Sequence, residues 1–315
     1  MSAIRDALGH YIAIRRALGT QLRESAVALG HFVEFLEREG AEFITNNLAL
    51  CWACHPEGVQ RATWARRLSV VRRFAAWLSA SDPRTEVPPQ RLLHARHRRN
   101  KPYIFTDQEI ERLMAEATRL PSPTGLRAMT YVTLIGLLAA TGLRPGEAHA
   151  LKVADVDLQN GILAIRQTKF GKSRFVPVEN STRTALVQYT KRRQKLCLHL
   201  QDDTFFVSEH GTRLCSSTVR RTFAKVSRTI GLRAALGNRR IGHGPRLQDI
   251  RHTFATRKLV EWYHAGLDVE RELPKLATYL GHVDVAHTYW YIEAVPELLQ
   301  LATEYLSRQH RGGVQ

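Results

Sequence analysis

The chain has 315 residues, with 46 Lys and Arg against 29 Asp and Glu, a formal charge of +17 and a sequence pI near 10.3. Its 44% hydrophobic share suits globular domains with sizeable cores, and the cationic excess points to a polyanion, nucleic acid before a membrane surface. No apolar run reaches membrane-spanning length and no signal-peptide pattern opens the chain, so a cytoplasmic, nucleoid-associated protein with no membrane partner is expected.

Residues 1–93 read as a helical domain. Residues 12–22 form a basic amphipathic stretch, and residues 25–38 place Val27, Leu29, Phe32, Val33, Phe35 and Leu36 at helical spacing. Residues 59–80 repeat the theme, with Trp64, Leu68, Val71, Phe74, Ala75 and Leu78 facing inward. The opposite face of that stretch carries Arg61, Arg66, Arg67, Arg72 and Arg73 and no acid. Like charges on neighbouring turns repel unless something neutralises them, so this face is expected to lie on DNA phosphates rather than simply in water. Cys51-Trp52-Ala53-Cys54-His55 matches a haem-attachment spacing, but such attachment normally follows export, and Cys197 and Cys215 stand too isolated to complete a zinc site. Reduced, mostly buried thiols are expected, with no metal and no cofactor.

Pro83, Pro88 and Pro89 break the helical pattern, and residues 94–102 form a basic linker that includes Arg96, Arg98 and Arg99. It is either a solvated tether or a segment that tracks a phosphate backbone.

A second domain spans residues 103–315. Thr106 and Glu109 make a capping box ahead of a helix, and a strongly apolar helix over residues 128–140 ends in Thr141-Gly142-Leu143-Arg144-Pro145-Gly146-Glu147. An arginine beside an apolar core needs its fork paired; Glu147 and a phosphate would each suit it. Residues 153–158, 162–167 and 174–178 then alternate as a β-meander, with turns at Asn160-Gly161 and at Lys169-Phe170-Gly171-Lys172. A lysine on a hairpin is usually a solubilising charge, yet its ammonium can also give a proton to a leaving alkoxide.

Helices resume at residues 182–196 and 216–230, the latter with a basic face of Arg220, Arg221, Lys225 and Arg228. In the helix that follows, Leu247, Ile250 and Phe254 face a core, while Gln248 and Arg251, one turn apart, point together from its rim. A further helix over residues 270–280 closes on Gly281, and Leu280-Gly281-His282 is followed nine residues past the histidine by Tyr291. A tyrosine between Trp290 and Ile292 is, on its own, as well read as a core aromatic.

The ordered set Arg144, Lys169, Gln248-Asp249-Ile250-Arg251-His252, Leu280-Gly281-His282 and Tyr291 resembles the tyrosine recombinase (phage integrase) family. The resemblance covers about residues 103–306, and the helical first domain is similar to that family's core-binding domain. It implies a mainly α fold with a small antiparallel β-meander, an α+β catalytic domain behind a DNA-binding domain. It further implies site-specific cleavage and rejoining of DNA through a 3′-phosphotyrosyl intermediate, without metal or ATP. Tyr291 would be the nucleophile, Arg144 and Arg251 would clamp the scissile phosphate, Lys169 would protonate the leaving 5′-oxygen, and His282 would hydrogen-bond the phosphate. The implied partners are double-stranded DNA and further copies of the chain, a dimer on one site and a tetramer in the synapse, with room for accessory or sister recombinases.

One position departs. The family usually places a histidine where this chain has Gln248, and an amide can bind phosphate but cannot take up a proton at neutral pH. His252, His282 and His243 are the local substitutes, Lys172 and Tyr289 the alternatives to Lys169 and Tyr291. The rival reading is therefore a DNA-binding protein of the same fold with weak or lost cleavage.

Overall fold

A computed structural model describes residues 2–20, 22–93, 101–166, 173–196, 203–234 and 244–303. The chain divides into two compact units, residues 1–100 and 101–315. Of the expected linker at residues 94–102, residues 94–100 lie outside the described residues.

In the first unit, the Ser2 hydroxyl accepts from the Arg5 amide and starts α1 (Ala3–Ala17) well before the amphipathic stretch read from the sequence. Three more helices follow, α2 (Arg23–Arg38), α3 (Asn46–Cys54) and α4 (Arg61–Leu78). Leu29, Phe32, Leu36, Leu68, Val71 and Phe74 meet in one core, as their spacing requires, whereas Val27 is 61% exposed. The sequence reading missed α3. It is short and apolar on most sides, so it carries no amphipathic period; Ala49, Trp52 and Ala53 are all buried. Its thiols correct another expectation, because Cys51 and, in the second unit, Cys215 are exposed rather than buried, and both are unbridged.

The second unit is organised on α6 (Leu126–Thr141), which is buried along most of its length. Before it comes α5 (Asp107–Thr118), opened by the expected Thr106–Glu109 capping box, and after it the single turn α7 (Pro145–Ala148). Strands β1 (Val156–Asp157), β2 (Ile162–Ile165) and β3 (Arg174–Pro177) form an antiparallel sheet in that order. The first run is shorter than the sequence suggests. Asp155 accepts from the Lys152 amide and folds residues 153–155 into a 3₁₀ turn, leaving two residues to pair with β2.

The remaining helices are α8 (Asn180–Leu196), α9 (Ser216–Thr229), α10 (Leu247–His264), α11 (Val269–Leu280) and α12 (Ala286–Ala294). Helix α10 joins two cores: Leu247 and Ile250 pack with α6, while Ala255 and Leu259 pack with α11 and α12. Val295 and Leu298 are buried in that second cluster, so the chain beyond α12 packs on its own domain at least as far as residue 298. Among the described residues no helix is long and apolar enough to cross a membrane.

Candidate active site

Two carbonyls at the end of α11 hold the site together. Gly281 takes a left-handed conformation (φ 68°) and closes the helix, which leaves its own carbonyl and that of Leu280 without helical donors. Arg251, from α10, fills one vacancy: it donates to the Leu280 carbonyl (2.7 Å) and also to the Gly142 carbonyl (2.9 Å). Arg144, capping α7, fills the other and donates to the Gly281 carbonyl at 2.9 Å. Two guanidiniums remote in sequence thus converge on the negative end of one helix dipole.

The close approach of α6 and α10 depends on Gly142. Its φ of 60° is left-handed, and a Cβ there would overlap the Phe254 ring. Arg251 is only 2% exposed; burial lowers its pKa to about 10, with Arg144 and Arg174 adding to the effect and Tyr291 opposing it, so it still carries its charge at neutral pH.

The second arginine has the partner read from the sequence. Arg144 donates to Glu147 Oε1 at 2.7 Å, and its amide donates to Oε2 at 3.1 Å. A third guanidinium, invisible in the sequence, joins them. Arg174 of β3 donates to Glu147 Oε2 at 2.7 Å and Oε1 at 3.3 Å, and to the Tyr279 carbonyl at 2.7 Å. Burial works to raise the Glu147 pKa, but the hydrogen bonds and charge of Arg174 and then Arg144 outweigh it and hold the carboxylate below its ordinary range.

His282 follows the same turn. Its Nδ1 lies 2.8 Å from the Thr288 hydroxyl, leaving Nε2 as its second hydrogen-bonding atom. Burial, then the charges of Arg251 and Arg144, push its pKa down to about 3. It is a neutral hydrogen-bonding group and a poor proton acceptor at neutral pH.

Tyr291 is 2% exposed, its ring against His252 (centroids 5.4 Å) and stacked on His282 (6.1 Å, 21° between planes). Tyr289 is 42% exposed. Gln248 is partly exposed and lines a cleft of about 410 Å³ with Arg144, Glu147, Asp155 and Arg166. Arg144, Arg251, His282 and Tyr291 are therefore gathered around the end of α11, and Gln248 shares a cleft with Arg144. Lys169, Lys172 and His243 lie outside the described residues.

The arginines expected to contact DNA divide into two kinds. Arg61, Arg66 and Arg73 are exposed on α4, and Arg220 and Arg221 are exposed on α9. Arg67 is half-buried. Its guanidinium sits 3.7 Å over the Trp52 ring and donates to the Trp52 carbonyl, so it ties α4 to α3. The α4 face is also not without an acid, because Glu24 of α2 reaches Arg66. Arg72 is half-buried, and Arg96, Arg98 and Arg99 fall outside the described residues.

The sequence model of the phage integrase family matches residues 104–297. A Sinorhizobium fredii protein, provisionally named integrase/recombinase y4rB, is 47% identical, with 98% of each chain aligned. The tyrosine recombinase XerD of Neisseria meningitidis serogroup A is 32% identical over 82% of each. Among solved structures, the Tn1549 transposon integrase in complex with transposon right end DNA superposes with a TM-score of 0.66 at 16% identity, covering 96% of this chain and 98% of that one. The chain belongs to the phage integrase family. It is a tyrosine-type site-specific DNA recombinase.

Proposed function

We propose that the chain breaks one DNA strand by attack of the Tyr291 hydroxyl on a phosphodiester. The Oη–P bond forms as the P–O5′ bond breaks and the tyrosyl proton passes to water, giving a 3′-phosphotyrosyl enzyme and a free 5′-hydroxyl. Attack by a 5′-hydroxyl of another strand reverses the step and rejoins the DNA. Because the tyrosyl ester conserves the bond, neither ATP nor a hydrolytic metal is needed.

Arg144 and Arg251 bind the non-bridging oxygens, where charge builds as the phosphorus becomes five-coordinate. Neutral His282 and the Gln248 amide add hydrogen bonds, and Lys169 supplies the proton that the departing 5′-oxygen takes up. Residues 1–93 form the core-binding domain, and Arg61, Arg66 and Arg73, with Arg220 and Arg221 of the second unit, hold duplex DNA through its phosphates. Two copies occupy a site and four a synapse, by likeness to the family.

The observation that carries this reading is the meeting of Arg144 and Arg251 on adjacent carbonyls, Gly281 and Leu280, within a cluster that includes His282 and Tyr291. Gln248 supports a second reading, a DNA binder with weak or lost cleavage. One experiment separates them. The protein is incubated with nicked suicide duplexes carrying its target site, and covalent complex is scored on a denaturing gel. The recombinase reading expects a complex that Tyr291→Phe abolishes. A complex that persists in Tyr291→Phe and vanishes in Tyr289→Phe overturns the assignment, and binding without any complex establishes the binder.

A further inference from the structure

We propose that Arg174 is a positioning residue for strand cleavage, sharing the Glu147 carboxylate so that it offsets less of the Arg144 charge facing the phosphate. This rests on the reading of Arg144 as a phosphate ligand.

The geometry is that of a shared anion. Each Glu147 oxygen accepts from both sides: Oε1 from Arg144 at 2.7 Å and Arg174 at 3.3 Å, Oε2 from Arg174 at 2.7 Å and the Arg144 amide at 3.1 Å. Arg174 is itself 11% exposed, and its Nε is fixed on the Tyr279 carbonyl at 2.7 Å. It is packed so tightly that a Cβ on Gly281 would lie 2.7 Å from its Nη1. The side chain thus joins β3 to two segments that each carry a candidate catalytic group, the α7 turn with Arg144 and the turn after α11 with His282.

Charge decides its role. Arg144, Arg251, Arg174 and Glu147 together leave two net positive charges. A phosphodiester carries one negative charge and its five-coordinate transition state two. Without Arg174 the cluster would fall to one positive charge, and Glu147 would compete with the phosphate for the whole Arg144 fork. Arg174 does not need to touch the DNA for this.

The test compares single-turnover cleavage of a suicide duplex whose scissile group is either a phosphodiester or an uncharged methylphosphonate. Arg174→Met is expected to be about 100-fold slower than the unaltered protein on the phosphodiester, and slowed several-fold or less on the methylphosphonate. Adding Glu147→Gln removes the competing carboxylate and is expected to recover about tenfold of the phosphodiester rate, which repair of a merely structural defect would not do. Arg174→Lys keeps the charge on a different shape and should fall between the two. Equal slowing on both substrates, no slowing on the phosphodiester, or a double variant slower than either single overturns the proposal. If Arg174→Met folds poorly, the Lys variant carries the test, and a Lys variant slowed equally on both substrates overturns it. Arg144→Ala is run alongside; if its loss is the same on both substrates, the phosphate-ligand reading fails separately from the role of Arg174.

Discussion

Arginines on α4 and arginines around the end of α11 are the same residue put to opposite uses. On α4, Arg61 and Arg73 are exposed, and Arg66 has only a solvent-exposed pairing with Glu24. Around α11, Arg251 is 2% exposed, and it and Arg144 are fastened to backbone carbonyls by 2.7–2.9 Å hydrogen bonds. A surface guanidinium costs little to hold and releases counterions when it meets a phosphate, which yields affinity without precise geometry. A buried guanidinium is expensive to desolvate, so it persists only where fixed acceptors compensate. What that fixing provides is a cation already aimed before substrate arrives, the form of stabilisation that acts on rates.

The sharpest way to break the contrast is Arg251→Ala. It removes a buried donor from the Gly142 and Leu280 carbonyls, at a cost on the order of 1–3 kcal/mol for each acceptor left unsatisfied. Cleavage should fall about 1000-fold, and thermal unfolding should shift down together with it. An Arg251→Ala protein as stable as the unaltered chain would mean that the carbonyls do not anchor the guanidinium.

The exposed set should respond differently. Replacing Arg61, Arg66 and Arg73 together by alanine should weaken DNA binding and reduce the slope of log affinity against log salt by up to about 2.7, near 0.9 for each phosphate released. Cleavage at saturating DNA should fall far less than affinity. An unchanged slope would remove α4 from the DNA interface. Arg67→Ala separates the two classes within one helix. It should lower stability by about 1 kcal/mol, through loss of the Trp52 contact, and leave the salt slope nearly intact.

These contrasts also mark what could be read without coordinates. Helices α2, α4, α9, α10 and α11 follow from apolar spacing, α3 does not, and the set Arg144, Gln248, Arg251, His282 and Tyr291 follows from the family resemblance of its motifs. The contact of Arg67 with Trp52 was not legible because spacing along α4 shows which face a side chain leaves from, not that Trp52 of another helix waits beneath it. Arg174 was missed for a related reason: its partners are 27 and 105 residues away, and an arginine on a short strand carries no local sign of them. Nor does a sequence reveal that Leu280 and Gly281 would turn their free carbonyls toward two arginines. That requires the left-handed turn at Gly281 and the packing of α10 against α6 at the same time.

The smallest effect concerns His282, which shares the arginines' environment but answers with the opposite protonation. Its pKa of about 3 lies below the ordinary value near 6.5, with burial and then Arg251 and Arg144 as causes. As pH falls from 6.5 toward 3, the unfolded chain binds a proton at this residue that the folded one refuses. The folded state therefore loses stability across that window on account of His282 and loses nothing above it. His282→Asn, which cannot titrate, should show a smaller drop in unfolding temperature between pH 7.5 and 5.5, by roughly a few degrees for a change below 1–2 kcal/mol in a domain of this size. With 14 histidines in the chain, only the difference between the two proteins is informative. Parallel pH dependences would mean that His282 takes up its proton normally in the fold. The field that Arg251 and Arg144 exert on His282 would then be weaker than their placement implies.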